Sequence, residues 1–425
     1  MRIHLQALGC RLNEAELESW SRDFRALGHQ IAPGAEAADL VVVNTCAVTA
    51  EAVRKSRKLM RRVRRANPAA KLVVSGCYAS LSPEEAGHAL GADLVVHNRD
   101  KDRLAEIACR ELQVPAMPAA AIEPDACPLP AGSRQRAFVK VQDGCRYRCT
   151  YCIVTLARGE ERSRTVAEVV AEITRLHAAG VQEVVLTGVH IGGYGSDLGS
   201  SLADLVRAVL ERTAIPRVRI GSLEPWDVPD DFWDLFGDPR LMPHLHLPLQ
   251  SGSDTVLRRM ARRCRTEAFE ALVRRARGLV PDLNITTDII VGFPGETDED
   301  WQRTMDYVER LGFGHVHIFP FSPRADTKAA ALPGPVPRAL VKERVDAMHA
   351  LARRMKTEML EGFRGRSLPV LVEGRRPEWE GYTPNFLRVE ITDGGDPRLA
   401  GRIVDVRLEA LASSGEALIG RRVDG

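Results

Sequence analysis

From its N-terminus the chain alternates short apolar runs with amphipathic stretches of helical length. IHLQAL precedes Glu14–Leu27, DLVVVN precedes Glu51–Arg65, KLVVSG precedes Pro83–Leu90, and DLVVHN precedes Lys101–Leu112. Apolar strands joined by helical crossovers predict a parallel sheet covered on both faces, so residues 1–113 read as a small α/β domain. Residues 114–132, rich in proline and alanine without a period, read as a linker. The alternation resumes at Phe138 with AFVKV, EVVLTG, RVRIGS, HLHLPL, NITTDIIVG and HVHIFPF, each followed by a helical pattern until a long helix from Arg338 to about Phe363. Six such units predict a partial (β/α) barrel over 133–363. The remainder, 364–425, changes to short β-type runs divided by Gly, Pro and Asn, as expected of a small antiparallel barrel. The fold class is α/β throughout, with that barrel appended.

Composition narrows the setting. A chain of 425 residues with 44% hydrophobic residues forms more than one core. No run approaches the ~18 apolar residues that span a bilayer, and MRIHLQALGC lacks a signal-peptide pattern, so a cytoplasmic protein without membrane association is expected. Nine cysteines in such a chain suggest metal binding or chemistry rather than a disulfide scaffold. A net charge of +2 says nothing about nucleic acid; local charge must carry that argument.

DGCRYRCTYC places Cys145, Cys149 and Cys152 at C-x3-C-x2-C directly after a predicted strand. Three thiolates on one loop can hold three irons of a [4Fe–4S] cubane and leave the fourth open, whereas a structural zinc site needs a fourth ligand that does not follow. With Tyr151 before the third cysteine, the segment resembles the signature of the radical S-adenosylmethionine (SAM) superfamily. The resemblance implies that SAM chelates the open iron and is cleaved by one electron to a 5′-deoxyadenosyl radical, which abstracts hydrogen from an unreactive carbon. Cys10, Cys46 and Cys77 also each follow a predicted strand, so a parallel sheet would bring them to one edge; on spacing alone they are either a second cluster site or unrelated buried cysteines. Their surroundings, LGCRLNEAELE, VVNTCAVTAEA and VSGCYA, resemble the three auxiliary-cluster motifs of the methylthiotransferases, and most closely the branch acting on N6-threonylcarbamoyladenosine (t6A). ARGEERSR, LHLPLQSGSD, DIIVGFPGET and FSPRADTKAA extend the likeness along nearly the whole chain, and the tail resembles a TRAM RNA-binding barrel. Thr155, His190 and Asp326 depart from the pattern, where proline, asparagine and glycine are usual. Cys109, Cys127 and Cys264 match no motif.

The resemblance implies two [4Fe–4S] clusters, SAM, an external one-electron reductant, a sulfur source, and transfer of a methylthio group to C2 of t6A beside the anticodon of transfer RNA. Tyr151, Gly188, Ser222, Glu224, His246, Gln250 and Asp288 are candidate SAM contacts, the last six at C-terminal ends of barrel strands where ligands bind. His244, His315 and His317 read as structural. RKSRKLMRRVRR, Arg54 to Arg65, holds eight basic residues in twelve and no acid: either a solvated face or, with Arg61, Arg62, Arg64 and Arg65, a phosphate-binding helix. In the tail, Arg375, Arg376, Tyr382 and Phe386 are candidate RNA contacts through charge and stacking. Other targets to weigh are isopentenyladenosine in transfer RNA and a ribosomal-protein aspartate. A non-catalytic, metal-stabilised RNA-binding protein is the rival from another class.

Overall fold

A computed structural model describes residues 1–114, 135–375, 379–392 and 399–423, without the Arg375 side chain. Apart from Val114, the proposed linker, which includes Cys127, therefore lies outside the described residues, as do Arg376 and the Arg375 side chain. Packing divides the chain into two units. The first joins the described part of Met1–Ala131 to Asp143–Arg162 and Ser322–Ala330; the second takes the described parts of Gly132–Gln142, Ser163–Phe321 and Ala331–Gly425. The units thus do not follow the boundary at 133 suggested by composition, because the loop with the cysteine triplet packs with the N-terminal sheet.

In the first unit, five parallel strands run in the order Gln30–Ile31, Arg2–Ala7, Leu40–Thr45, Lys71–Gly76, Leu94–Val95. Leu40–Thr45 is buried along its whole length. Its period of two divides the core: Val41 and Val43 meet Met60, Val63 and Tyr78 on one face, while Leu40 and Val42 meet Trp20, Phe24 and Leu104 on the other. The crossover helix Ala50–Ala66, capped by the Thr49 hydroxyl, buries Leu59, Met60 and Val63 and leaves most of its arginines outside.

In the second unit, Arg136–Lys140, Glu183–Thr187 and Arg217–Ile220 form one parallel sheet, and His244–His246, Asn284–Val291 and His315–Pro320 another. Single bridges at Val218–Leu241 and Ser222–His246 link them, so the six predicted strands make a partial barrel. Helices Val166–Ala178, Leu202–Arg212 and Asp298–Leu311 each begin with a capping box, read directly from TVAE, SLAD and TDED. After the long helix Arg338–Gly362, five strands close a small barrel around Val370, Val372, Val389, Ile391, Val406 and Leu408. This barrel is mixed rather than antiparallel, since Arg388–Ile391 runs parallel to Leu418–Arg422. It also contains a strand, Trp379–Tyr382, that the sequence conceals. The second inward position there is Gly381, where a side chain would meet the Leu371 carbonyl at 2.3 Å, so no apolar alternation is visible.

Candidate functional site

Cys10, Cys46 and Cys77 follow three strands that are neighbours in the first sheet, and so share its C-terminal edge. Two glycines bring the loops together: Gly9 (φ 106°) lies against Cys46, and Gly76 (φ 95°) against the Thr45 backbone, where a Cβ would collide. Cys46 is pinned from the basic helix by Ser56, whose hydroxyl accepts from its N–H at 3.1 Å and donates to its carbonyl at 3.0 Å. Burial pushes the Cys46 thiol up to about 11, with Cys77 and Cys10 adding to the effect. Cys10 is raised by desolvation as well, although solvent reaches it, and Arg158 opposes that rise.

The triplet Cys145, Cys149 and Cys152 lies in the same unit, on a loop closed by Cys145 N–H to the Gly159 carbonyl at 3.1 Å and Cys152 N–H to the Cys149 carbonyl at 3.0 Å. Burial brings Cys152 to about 11; Cys149 and then Cys77 add to it, so the two cysteine sets are within electrostatic reach of each other. Soft thiolate donors grouped in threes fit iron–sulfur clusters, and each thiol would give up its proton on ligating iron.

Beneath both sets lies a buried polar network that sequence reasoning missed. Arg158 donates to Glu16 at 3.0 Å, Asp143 at 2.9 Å and Asn13 at 2.9 Å. Lys101 donates to Asn98 at 2.8 Å and pairs with Glu16 at 2.6 Å. Asn13 lies 3.7 Å from the Cys10 sulfur and Asn98 lies 3.9 Å from that of Cys77. Asn13 and Arg158 stand in RLNEAE and ARGEERSR, the only signal that could have found them.

A cavity of about 820 Å³ opens beside these cysteines. Ala47, Tyr78 and Ile153, each next in sequence to a cysteine, line one side, and Arg57, Lys58, Arg61 and Arg65 from the basic helix line another. Arg62 is exposed and outside the lining. Arg64 is a correction: it is spent on the Ala70 and Gly91 carbonyls and on Asp93, and holds the helix to the sheet instead of facing a ligand.

Of the candidate SAM contacts, Tyr151 belongs to the cysteine unit and the other six to the barrel unit. Glu224 has a buried Oε2 with no hydrogen-bond partner among the described residues, and the His190 ring lies 4.0 Å from it; desolvation raises its pKa against the pull of His190 and Arg262. Such an orphaned acceptor fits a ligand's amino or hydroxyl group. Gln250 takes a left-handed φ of 78°, the kind of strain found at ligand sites, and a side chain at Gly188 would meet Gln142 at 2.9 Å. His246 bonds Thr286 at 2.9 Å and Asp288 at 3.2 Å, and His317 reaches the same point; Ser222 lies exposed at the bridge to His246.

Tyr382 and Phe386 also take part in a contact inside the protein. Their rings stack on each other at 4.7 Å, Arg136 sits over both, Arg219 over Phe386, and the His244 ring lies 4.9 Å from Phe386. Arg217, Arg219 and Asn284 donate to backbone carbonyls of the same loop. These aromatics fasten the small barrel to the strands of the large one, while both rings stay part-exposed and line a cavity of about 460 Å³ with His246 and His317. Cys109, beside His29 at 3.4 Å, and Cys264 are buried.

Comparison with known proteins agrees with this geometry. Residues 139–308 match the radical SAM superfamily, and residues 2–97 match uncharacterized protein family UPF0004. The threonylcarbamoyladenosine tRNA methylthiotransferase MtaB of Thermotoga maritima is 36% identical, over 97% of this chain and 95% of its own. The MtaB of Bacillus subtilis is 34% identical, over 96% and 93%. A tRNA-2-methylthio-N(6)-dimethylallyladenosine synthase from Thermobifida fusca is 37% identical, over 88% and 79%. Among solved structures, the radical SAM methyltransferase TsrM of Kitasatospora setae superposes with a TM-score of 0.58 at 17% identity, covering 77% of this chain and 75% of that one, a likeness of fold. The partial barrel and its C-x3-C-x2-C loop define a radical SAM enzyme. Within that class the chain belongs to the methylthiotransferase family, whose members use SAM and [4Fe–4S] clusters.

Proposed function

We propose that this enzyme attaches a methylthio group to C2 of t6A in transfer RNA. Cys145, Cys149 and Cys152 hold the cluster that binds SAM, and Cys10, Cys46 and Cys77 hold the auxiliary cluster. When bound, these groups supply methyl transfer, one-electron chemistry and hydrogen abstraction; an external reductant and a sulfur source complete the balance. The chain's own residues do the rest. Ser56, Asn13 and Asn98 fix the cysteine loops, Glu224, Gln250 and Asp288 orient SAM, and Arg61, Arg62 and Arg65 take phosphates while the base is drawn out of the stack. On this reading the chain has three parts, 1–113, 133–363 and 364–425, and works in the cytoplasm. Among the described residues no helix is long and apolar enough to cross a membrane.

Relatives named for t6A match at 34–36% identity over 96–99% of this chain, and one named for dimethylallyladenosine at 37% over 88%. The observation that favours t6A is the cavity beside the cysteines, lined by arginine and lysine, which suits an N6 substituent bearing a carboxylate better than a prenyl group. Mass spectrometry of transfer RNA nucleosides from cells lacking the protein tests this. Loss of 2-methylthio-t6A with accumulation of t6A is expected; loss of the methylthiolated isopentenyl nucleoside instead would overturn it.

A further inference from the structure

The cavity beside the cysteines contains one cation that neither the cysteine chemistry nor the basic helix accounts for. Arg324 comes from Ser322–Ala330, which packs within the cysteine unit. Both ends of that segment are anchored. The Ser322 hydroxyl accepts from the Ala50 N–H at 3.1 Å, at the start of the basic helix, and the Ala329 N–H donates to the Thr150 carbonyl at 2.8 Å, inside the C-x3-C-x2-C loop. Between them Thr327 closes a turn on the Arg324 carbonyl through its hydroxyl at 2.7 Å, and Asp326 adopts a left-handed φ of 69°. The base of Arg324 is thereby held in place between two functional loops, unlike an arginine on a free surface.

The charges around the cavity separate into three kinds. Arg57 is neutralised by Glu85 at 2.7 Å and also bonds the Tyr78 hydroxyl; Arg54 pairs with Glu51 at 2.9 Å. Lys58, Arg61 and Arg65 are exposed along the helix and have no carboxylate partner among the described residues, an arrangement suited to phosphates outside the cavity. Arg324 is of neither kind. It is half-buried, its Nε is buried without any hydrogen-bond partner among the described residues, and no carboxylate there lies within ion-pairing distance of it. Asp326 lies close enough to be felt electrostatically, without forming a pair, and so does the Cys46 thiol. A buried guanidinium donor without an acceptor is costly unless a ligand supplies one, and a planar carboxylate matches the guanidinium fork.

The ligand follows from the substrate reading, on which this inference rests. In adenine, C2 and C6 flank N1, so a base whose C2 reaches the cysteines sends its N6 substituent aside into the neighbouring cavity. In t6A that substituent ends in the carboxylate of threonine; in isopentenyladenosine it carries no charge. We propose that Arg324 binds the threonyl carboxylate of t6A and is the residue by which this enzyme distinguishes it from uncharged N6 substituents.

The test uses the reconstituted enzyme and three anticodon stem-loop RNAs, carrying t6A, its neutral carboxamide, or isopentenyladenosine. Wild type and Arg324→Gln are compared by KM and kcat, with iron content and the salt dependence of RNA binding measured beside them. The carboxamide should cost the wild type about tenfold or more in kcat/KM, mostly through KM, as expected for one charge-assisted bond. Arg324→Gln should cost as much on t6A, and variant and carboxamide combined should lose no more than either alone. Arg324→Lys should recover part of the loss, while iron content and salt slope stay unchanged. Losses that multiply, or a flattened salt slope, would make Arg324 a phosphate contact or a structural residue and overturn the proposal while leaving the substrate reading intact. A wild type that prefers isopentenyladenosine RNA would overturn the substrate reading itself, and this proposal with it.

Discussion

At the scale of single residues, Arg158 carries the most consequence for its size. Its side chain and that of Glu16 are each 2% exposed, and it ties together Glu16, Asp143 and Asn13 beneath two cysteine loops. Arg158→Met would leave Glu16 and Asp143 facing one remaining cation, Lys101. Removing one partner from a buried ion network costs about 3–5 kcal/mol, so the urea midpoint of the variant should fall accordingly. An unfolding free energy within about 1 kcal/mol of wild type would show that the site relaxes and lets water in. A second residue gives a pH dependence. Burial, with His317 and Lys356 nearby, lowers His315 from 6.5 to about 4. The unfolded chain therefore takes up this proton first as pH falls, so the contribution is complete above 6.5 and is lost between 6.5 and about 4. His315→Gln should flatten the wild-type decline in thermal midpoint across that window, and equal slopes would contradict the assignment. The two sets of three cysteines could be grouped from the sequence because their signal is local: a thiol just after a strand, or three thiols on one loop. Arg158 stood in a recognisable motif, but its partners Glu16 and Asn13 are 142 and 145 positions away, and no local pattern reports such a pairing.

At the scale of elements, the helix Ala50–Ala66 is proposed to join the cysteine chemistry to the nucleic acid. Its 3.6-residue period made it legible, with Leu59, Met60 and Val63 inside and the arginines outside. The sequence could not show that these arginines differ, because the partners that occupy Arg64 come from the segment around Gly91 and Asp93. The account therefore predicts a split. Replacing Arg61, Arg62 and Arg65 together with serine should weaken transfer RNA binding and lower the slope of log affinity against log salt by about one unit per lost contact, without changing the melting temperature. Arg64→Ser should do the reverse, lowering the melting temperature and leaving the salt slope alone. Equal behaviour of the two variants in a salt series would return the whole helix to a solvated face. The small barrel teaches the opposite lesson. Tyr382 and Phe386 have the composition of a base-stacking platform, yet they are held by Arg136 and Arg219 from strands more than 150 residues earlier, a docking the sequence does not advertise.

At the scale of the whole molecule, both cysteine sets fall in one unit, and the strands carrying most of the SAM candidates form the other. The α/β rhythm foretold the sheet and the partial barrel. It could not foretell that a loop from the middle of the chain would pack with the N-terminal sheet, since that depends on contacts such as Asn98 to the Ala157 carbonyl at 2.7 Å. The central claim is that the two sets of three cysteines hold clusters with different tasks. Cys10→Ala tests it most directly, by measuring 5′-deoxyadenosine and methylthiolated nucleoside from one reaction supplied with reductant, SAM and t6A-bearing transfer RNA. The account predicts that iron falls by about half, on the order of four atoms of eight, that 5′-deoxyadenosine is still formed, and that no methylthio product appears, whereas Cys149→Ala forms neither. Full methylthiolation by Cys10→Ala would contradict the account.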